Sequence, residues 1–137
     1  MLPEKLTLEI ATPERRVLQE TVDEVVMPGA LGYLGVLPGH APLLTSLSVG
    51  ELMYRKGGER RYLALAWGFA EVLSSRVIVL AETAERAEEI DLPRAQGRRA
   101  EIEARLKTPG PEFDFDAAGA ALQKAIVRIQ VAHKKTG

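Results

Sequence analysis

The chain has 137 residues, 46% of them hydrophobic and 27% charged, with a net charge of −1 and no cysteine. These numbers fit one ordinary domain, or a small domain with an appendage, and exclude disulfides, a thiolate nucleophile and a cysteine-based zinc site. No apolar run approaches the roughly 20 residues that cross a bilayer, and MLPEKLTLEI carries acid where a signal peptide carries base, so neither a spanning helix nor a leader is expected.

The first 85 or so residues read as β. In Lys5–Ile10 the apolar Leu6, Leu8 and Ile10 alternate with Lys5, Thr7 and Glu9, the pattern of a half-buried strand. Thr12-Pro13 stops it, and short segments follow at Arg16–Leu18, Thr21–Met27 and Tyr33–Leu37. Leu47–Arg55 and Arg61–Ala66 flank Lys56-Gly57-Gly58-Glu59, a hairpin signal. Gly68–Leu73 and Arg76–Ala81 flank Ser74-Ser75, a second hairpin. Many short strands joined by tight turns predict an all-β antiparallel sandwich or flattened barrel.

The texture changes at Ile90-Asp91. Asp91 is a candidate N-cap, with Pro93 in the first turn. Ala95, Ile102 and Leu106 then recur at helical spacing until Thr108-Pro109-Gly110-Pro111 forces a reversal. A second helix starts near Asp114 or Asp116, with an apolar stripe of Leu122, Ile126 and Ile129 beside Ala118, Ala121, Ala125 and Ala132. The fold class is thus a β-sandwich over residues 1–88 followed by a C-terminal α-helical hairpin over residues 89–137. With Gly97 in its interior and few large apolar residues, that hairpin must lean on something else to be stable.

Charge divides the same way. Met1–Ile90 holds 9 basic and 13 acidic residues, and Asp91–Gly137 holds 9 and 6. A mild basic excess is a solvated helix face or a surface for an acidic protein. Nucleic acid is not expected, because no basic cluster is interleaved with aromatics. The acids of AERAEEID (Glu85, Glu88, Glu89, Asp91) read as a solvated linker. The two histidines, His40 and His133, lie far apart in unlike contexts, and no metal site is expected from them. No glycine-rich phosphate loop precedes a helix. Catalysis is not expected.

One stretch asks for more. In LGVLPGHAPLLTSLSVG, from Leu34 to Gly50, Pro38 and Pro42 fix the backbone on either side of Gly39 and His40. This predicts a rigid exposed turn outside any central strand, serving either as a structural corner or as a docking surface.

That run, followed by WGFAEV (Trp67–Val72) and VIVLAETAERAEEIDLPRA (Val77–Ala95), resembles the ε subunit of bacterial F-type ATP synthases over essentially the whole chain. The resemblance implies a non-catalytic rotor piece whose sandwich grips the γ shaft and sits on the c-ring, peripheral on the cytoplasmic face of the membrane. It places Gly32, Tyr33, Gly35, Pro38, Gly39, His40, Ala41 and Pro42 in the c-ring and γ contact, with Tyr33 where relatives often carry an acid. It also implies a mobile hairpin that, when extended toward the α/β catalytic ring, restrains ATP hydrolysis. Lys124, Arg128, Lys134 and Lys135 then face acidic helices of β. Some relatives bind a regulatory ATP, which is not hydrolysed, in the folded hairpin. Glu85, Ile90, Asp91, Arg94, Ala95 and Arg128 match that motif, and Lys124 replaces an arginine. Glu101 stands where a further arginine is expected, and Pro93 falls inside the motif. The alternative is a β-sandwich adaptor whose helical arm binds another acidic protein, with no rotary role.

Overall fold

A computed structural model describes residues 2–134. Eight strands come first: β1 (Leu6–Ala11), β2 (Arg16–Val22), β3 (Glu24–Gly29), β4 (Gly32–Val36), β5 (Leu43–Leu47), β6 (Gly50–Lys56), β7 (Glu59–Val72) and β8 (Arg76–Arg86). A 3₁₀ turn (Ala87–Glu89) leads to α1 (Leu92–Lys107) and α2 (Phe115–Ala132). The sheet runs β2-β1-β8-β7-β5-β3-β4, with β6 pairing to β3 and β7.

Period-two alternation builds the sandwich. Leu6, Leu8 and Ile10 are wholly buried, and Val77, Val79 and Ala81 of β8 join them in the same cluster. Burying each of the larger side chains contributes about 1.5–3 kcal/mol. The ladders are antiparallel except β1 with β8, which is parallel. Both expected hairpins form. Lys56 pairs with Glu59 around Gly57, whose φ of 63° is the kind a two-residue turn demands. Val72 pairs with Val77 around Ser74-Ser75.

Four strand expectations change, the first being Thr21–Met27, which breaks at Asp23 so that Thr21 and Val22 end β2 on β1 while Glu24–Met27 belong to β3. Leu43–Leu47 is a strand of its own, where the sequence reading places a loop as far as Ser46. The predicted strands Arg61–Ala66 and Gly68–Leu73 are one 14-residue strand, bent at Trp67 and Gly68. Before the bend β7 pairs with β6, and after it with β5, so the bend is the corner of the sandwich. Finally, β8 continues to Arg86, so Glu85 belongs to a strand and not to a solvated linker.

Polar side chains close the gap between β2, β3 and β6. Asp23 accepts from Lys5 and from the Gly57 amide (2.7 Å), Lys56 reaches Glu20 (2.9 Å), and Arg55 lies 3.4 Å from Glu24. The Lys5 hydrogen bond, followed by that of the Gly57 amide, holds the Asp23 carboxyl below the usual carboxylate range. A carboxyl depressed on folding stabilises the fold above its unfolded pKa, and that contribution is lost as pH falls through the lowered value.

The helices begin as expected. Asp91 caps α1 by accepting from the Arg94 amide (3.1 Å), and Asp114, not Asp116, caps α2 by accepting from the Ala117 amide (3.0 Å). The hairpin lies folded against the sandwich. Its docking stripe differs from the predicted one. Val127, Val131 and Ala132 are buried in a second apolar cluster with Val49, Ala64, Ala66, Ala87 and Ile90, whereas Leu122, Ile126 and Ile129 are only half-buried. Trp67, at the corner, packs on this cluster.

Candidate functional site

The folded hairpin and the sandwich enclose a cleft of about 760 Å³. The hairpin contributes Arg94, Arg98, Glu101, Lys124 and Arg128 to it. The sandwich contributes Glu82 and Glu85 of β8 and the β1–β2 turn, with Thr12, Glu14 and Arg15. Four of the residues named from the sequence therefore meet here: Glu85, Arg94, Lys124 and Arg128. Arg128 grips Glu85 through two hydrogen bonds, Nε to Oε1 at 2.7 Å and Nη2 to Oε2 at 3.1 Å, in a half-buried setting that favours such bidentate pairs.

The other three named residues do not line the cleft. Ile90 and Ala95 are buried core residues, and Asp91 serves as the helix cap. Arg98 and Arg15 line it without having been expected there, and each has an acid at hand. Arg98 lies 3.4 Å from Glu101, and Arg15 lies 2.9 Å from Glu89. Among the described residues, the Arg94 and Lys124 side chains have no ion-pair partner. The cleft thus holds two uncommitted cations and three that would first have to leave a carboxylate. That donor set fits a phosphate chain only in part, since each retained carboxylate repels it.

Of the cations expected to meet an acidic partner, Lys124 and Arg128 lie in this cleft. Lys134, at the end of α2, has its Nζ 2.8 Å from each carboxylate oxygen of Glu51 and 4.8 Å above the Tyr62 ring. Lys135 lies outside the described residues.

The residues expected at the rotor contact spread along β4 instead of forming one cluster. Gly32 and Tyr33 open this edge strand, and Pro38–Pro42 follow its other end, Gly32 and Val36 being about 13 Å apart at the rise of a strand. Tyr33 is exposed, and its hydroxyl accepts from the Glu51 amide (3.1 Å). Gly35 is exposed on the same strand. In the loop, Gly39 adopts φ 87° and donates its amide to the Ser74 carbonyl at 2.6 Å. His40 sets its Nδ1 2.6 Å from the Ala41 carbonyl. The loop is pinned to the β7–β8 hairpin and leaves Ala41 and Pro42 exposed, so it is a corner and a surface at once.

A further surface escaped the sequence reading. On the outer face of the sheet, Phe69 of β7 stands directly opposite Leu80 of β8, and Leu44 of β5 lies diagonal to Phe69. These residues are 59%, 57% and 72% exposed and together form an apolar patch on the sheet, the kind of feature that marks contact surfaces. The signal was available: with Ala70 and Val72 turned inward, alternation turns Phe69 outward.

Comparison with known proteins agrees with this architecture. Residues 5–87 match the family described as the ATP synthase Delta/Epsilon chain beta-sandwich domain, and residues 88–133 match its long alpha-helix domain. The ATP synthase epsilon chain of Geobacter sp. (strain M21) is 53% identical, with 98% of this chain and 99% of that one aligned. The ATP synthase epsilon chain 2 of Syntrophotalea carbinolica is also 53% identical, over 96% of each chain. A chain in the Euglena gracilis mitochondrial ATP synthase (OSCP/F1/c-ring) superposes with a TM-score of 0.82 at 24% identity, covering 97% of this chain and 84% of that one, which is a likeness of fold.

Proposed function

The chain belongs to the ATP synthase delta/epsilon family, whose epsilon chains are structural or regulatory and not themselves catalytic, and from that membership we propose that it joins the γ shaft to the c-ring. The observation that carries this is the apolar outer face of Leu44, Phe69 and Leu80. It is a stiff sheet surface, and torque is passed best through a surface that needs no ordering on contact. Leu31, fully exposed at the β3–β4 tip, and Tyr33 lie on the separate surface assigned to the c-ring. With Tyr33 in place of an acid, that contact rests on packing and hydrogen bonds more than on charge. The protein is held at the cytoplasmic face of the membrane only through the complex. Among the described residues, no helix is long and apolar enough to cross a bilayer.

The hairpin of residues 89–137 acts as a brake in this reading, docked when idle and extended toward the α/β ring when it restrains hydrolysis. Two states exchange only if they differ by a few kcal/mol. The docking seam of valines and alanines is small enough for that. The test is ATP hydrolysis by a cognate α3β3γ complex, with the full chain and with one ending at Glu88, each checked for γ binding by gel filtration. Both should bind, and only the full chain should inhibit. Binding by neither would replace the rotor reading with the adaptor.

A second reading concerns the cleft. We infer that it takes ATP as a regulatory ligand, weakly, with Arg94 and Lys124 toward the phosphates. Charge decides the strength. Glu101→Arg removes an anion from the wall and frees Arg98, and should tighten ATP binding by about tenfold or more, about 1.4 kcal/mol. Lys124→Ala should weaken it by a similar factor. Calorimetric titration with ATP reads both, and equal affinities across the three proteins would remove the cleft from consideration.

A further inference from the structure

The last two turns of α2 carry nearly all of the hairpin's attachment. Val127, Val131 and Ala132 supply the apolar seam, and two ion pairs flank it: Arg128 with Glu85, and Lys134 with Glu51. α1 buries only Ala95 and Ile102. An attachment this local is governed by whatever holds its end.

We propose that Glu51, Tyr62 and Lys134 form a latch that sets how often the hairpin leaves the sandwich, and that Lys134 must exchange Glu51 for an acidic partner when it does. The geometry is favourable on each side. The ammonium sits equidistant (2.8 Å) from both oxygens of Glu51 and over the face of Tyr62, so charge and ring quadrupole act together. The Glu51 side chain is 20% exposed and that of Lys134 44%, so the carboxylate is the fixed half of the pair and the ammonium the half that departs. Glu51 is braced from behind as well, since its amide donates to the Tyr33 hydroxyl. Next to it, Gly50 lets Pro28 and Tyr33 close in: a Cβ there would lie 2.6 Å from Pro28 Cβ and 2.9 Å from that hydroxyl. The latch plate is therefore built into the sandwich before the helix arrives.

One ammonium cannot serve two carboxylate surfaces at once. The cation that docks the arm is also one of those assigned to the acidic partner in the proposed brake, and the exchange rests on that reading. The latch itself does not.

Amide hydrogen exchange on the full-length protein, read over Val127–Ala132, measures the opening of this segment directly. The single tryptophan, Trp67, packs on the same cluster and gives a second signal. Glu51→Gln and Lys134→Gln should each lower protection of α2 about threefold to tenfold at low salt, with no further loss in the double variant. The exchanged pair, Glu51→Lys with Lys134→Glu, should recover part of the loss, the share of the ion pair but not that of the ring, and 1 M salt should narrow the differences. Unchanged protection in both single variants overturns the latch, as does a double variant equal to the sum of the two. In the assembled complex, Glu51→Gln should deepen inhibition of ATP hydrolysis, because the arm is freed with its cation intact, whereas Lys134→Gln should not. Lowered protection without any change in inhibition would keep the latch and discard the brake.

Discussion

Gly68→Ala should leave little folded protein. A Cβ at this position would lie 2.0 Å from the Leu80 carbonyl oxygen and 2.8 Å from Ala81 Cα, both backbone atoms of the paired strand. The φ of 151° adds strain for any L side chain. Neither atom can yield without parting β7 from β8, the longest ladder in the sheet. The preceding Trp67 already sits at φ 48°, a strain of order 1–3 kcal/mol that its surroundings must hold. A loss above about 4 kcal/mol is expected, against a total stability of about 5–15 kcal/mol for a domain of this kind. Gly97→Ala is the control. That glycine is helical, with nothing within 4 Å of an added Cβ, and the change should stabilise by about 0.8–1 kcal/mol. Urea unfolding of the three proteins decides the matter. A loss below about 2 kcal/mol for Gly68→Ala would mean that the corner can be turned in some other way.

That corner illustrates what could be read in advance. The break at Trp67 was visible because apolar residues lie on both sides of a glycine, but a break and a change of partner look alike along a chain. Strand β5 was hidden for a related reason. Its Leu43 and Leu44 are exposed and only Leu47 is buried, so prolines and an outward-facing leucine pair mask the alternation. In α2 several apolar rows compete. Size favours Leu122, Ile126 and Ile129, whereas the sheet, lined there by Ala64 and Ala66, accepts the row of Val127 and Val131. Within the cleft, Glu85, Arg94, Lys124 and Arg128 could be named because the resemblance names them. Lys134 could be named on the same ground, but its pairing with Glu51 could not, since 83 residues separate the two.

Phe69→Glu should weaken γ binding at least a hundredfold while sparing the fold. The side chain is 59% exposed and points away from the core, so the isolated protein loses only cross-strand contact with Leu80 and some strand preference, less than about 1 kcal/mol. In a complex, the same position would place a carboxylate among Leu44, Leu80 and whatever apolar surface covers them, and burying an unpaired charge there is far more costly than losing the ring. Each large apolar side chain covered is worth about 1.5–3 kcal/mol, so the affinity should fall at least a hundredfold, about 2.8 kcal/mol. Titration of γ with the two proteins, beside matched unfolding curves, measures both halves of the claim. The brake supplies a further consequence. Phe69→Glu leaves the hairpin, its latch and its cations untouched, yet inhibition of hydrolysis should fall with binding, because an arm acts on the catalytic ring only from a body anchored to the shaft. If γ binding survives the substitution unchanged, the grip lies on another face, and the exposed leucines and phenylalanine belong to a different contact.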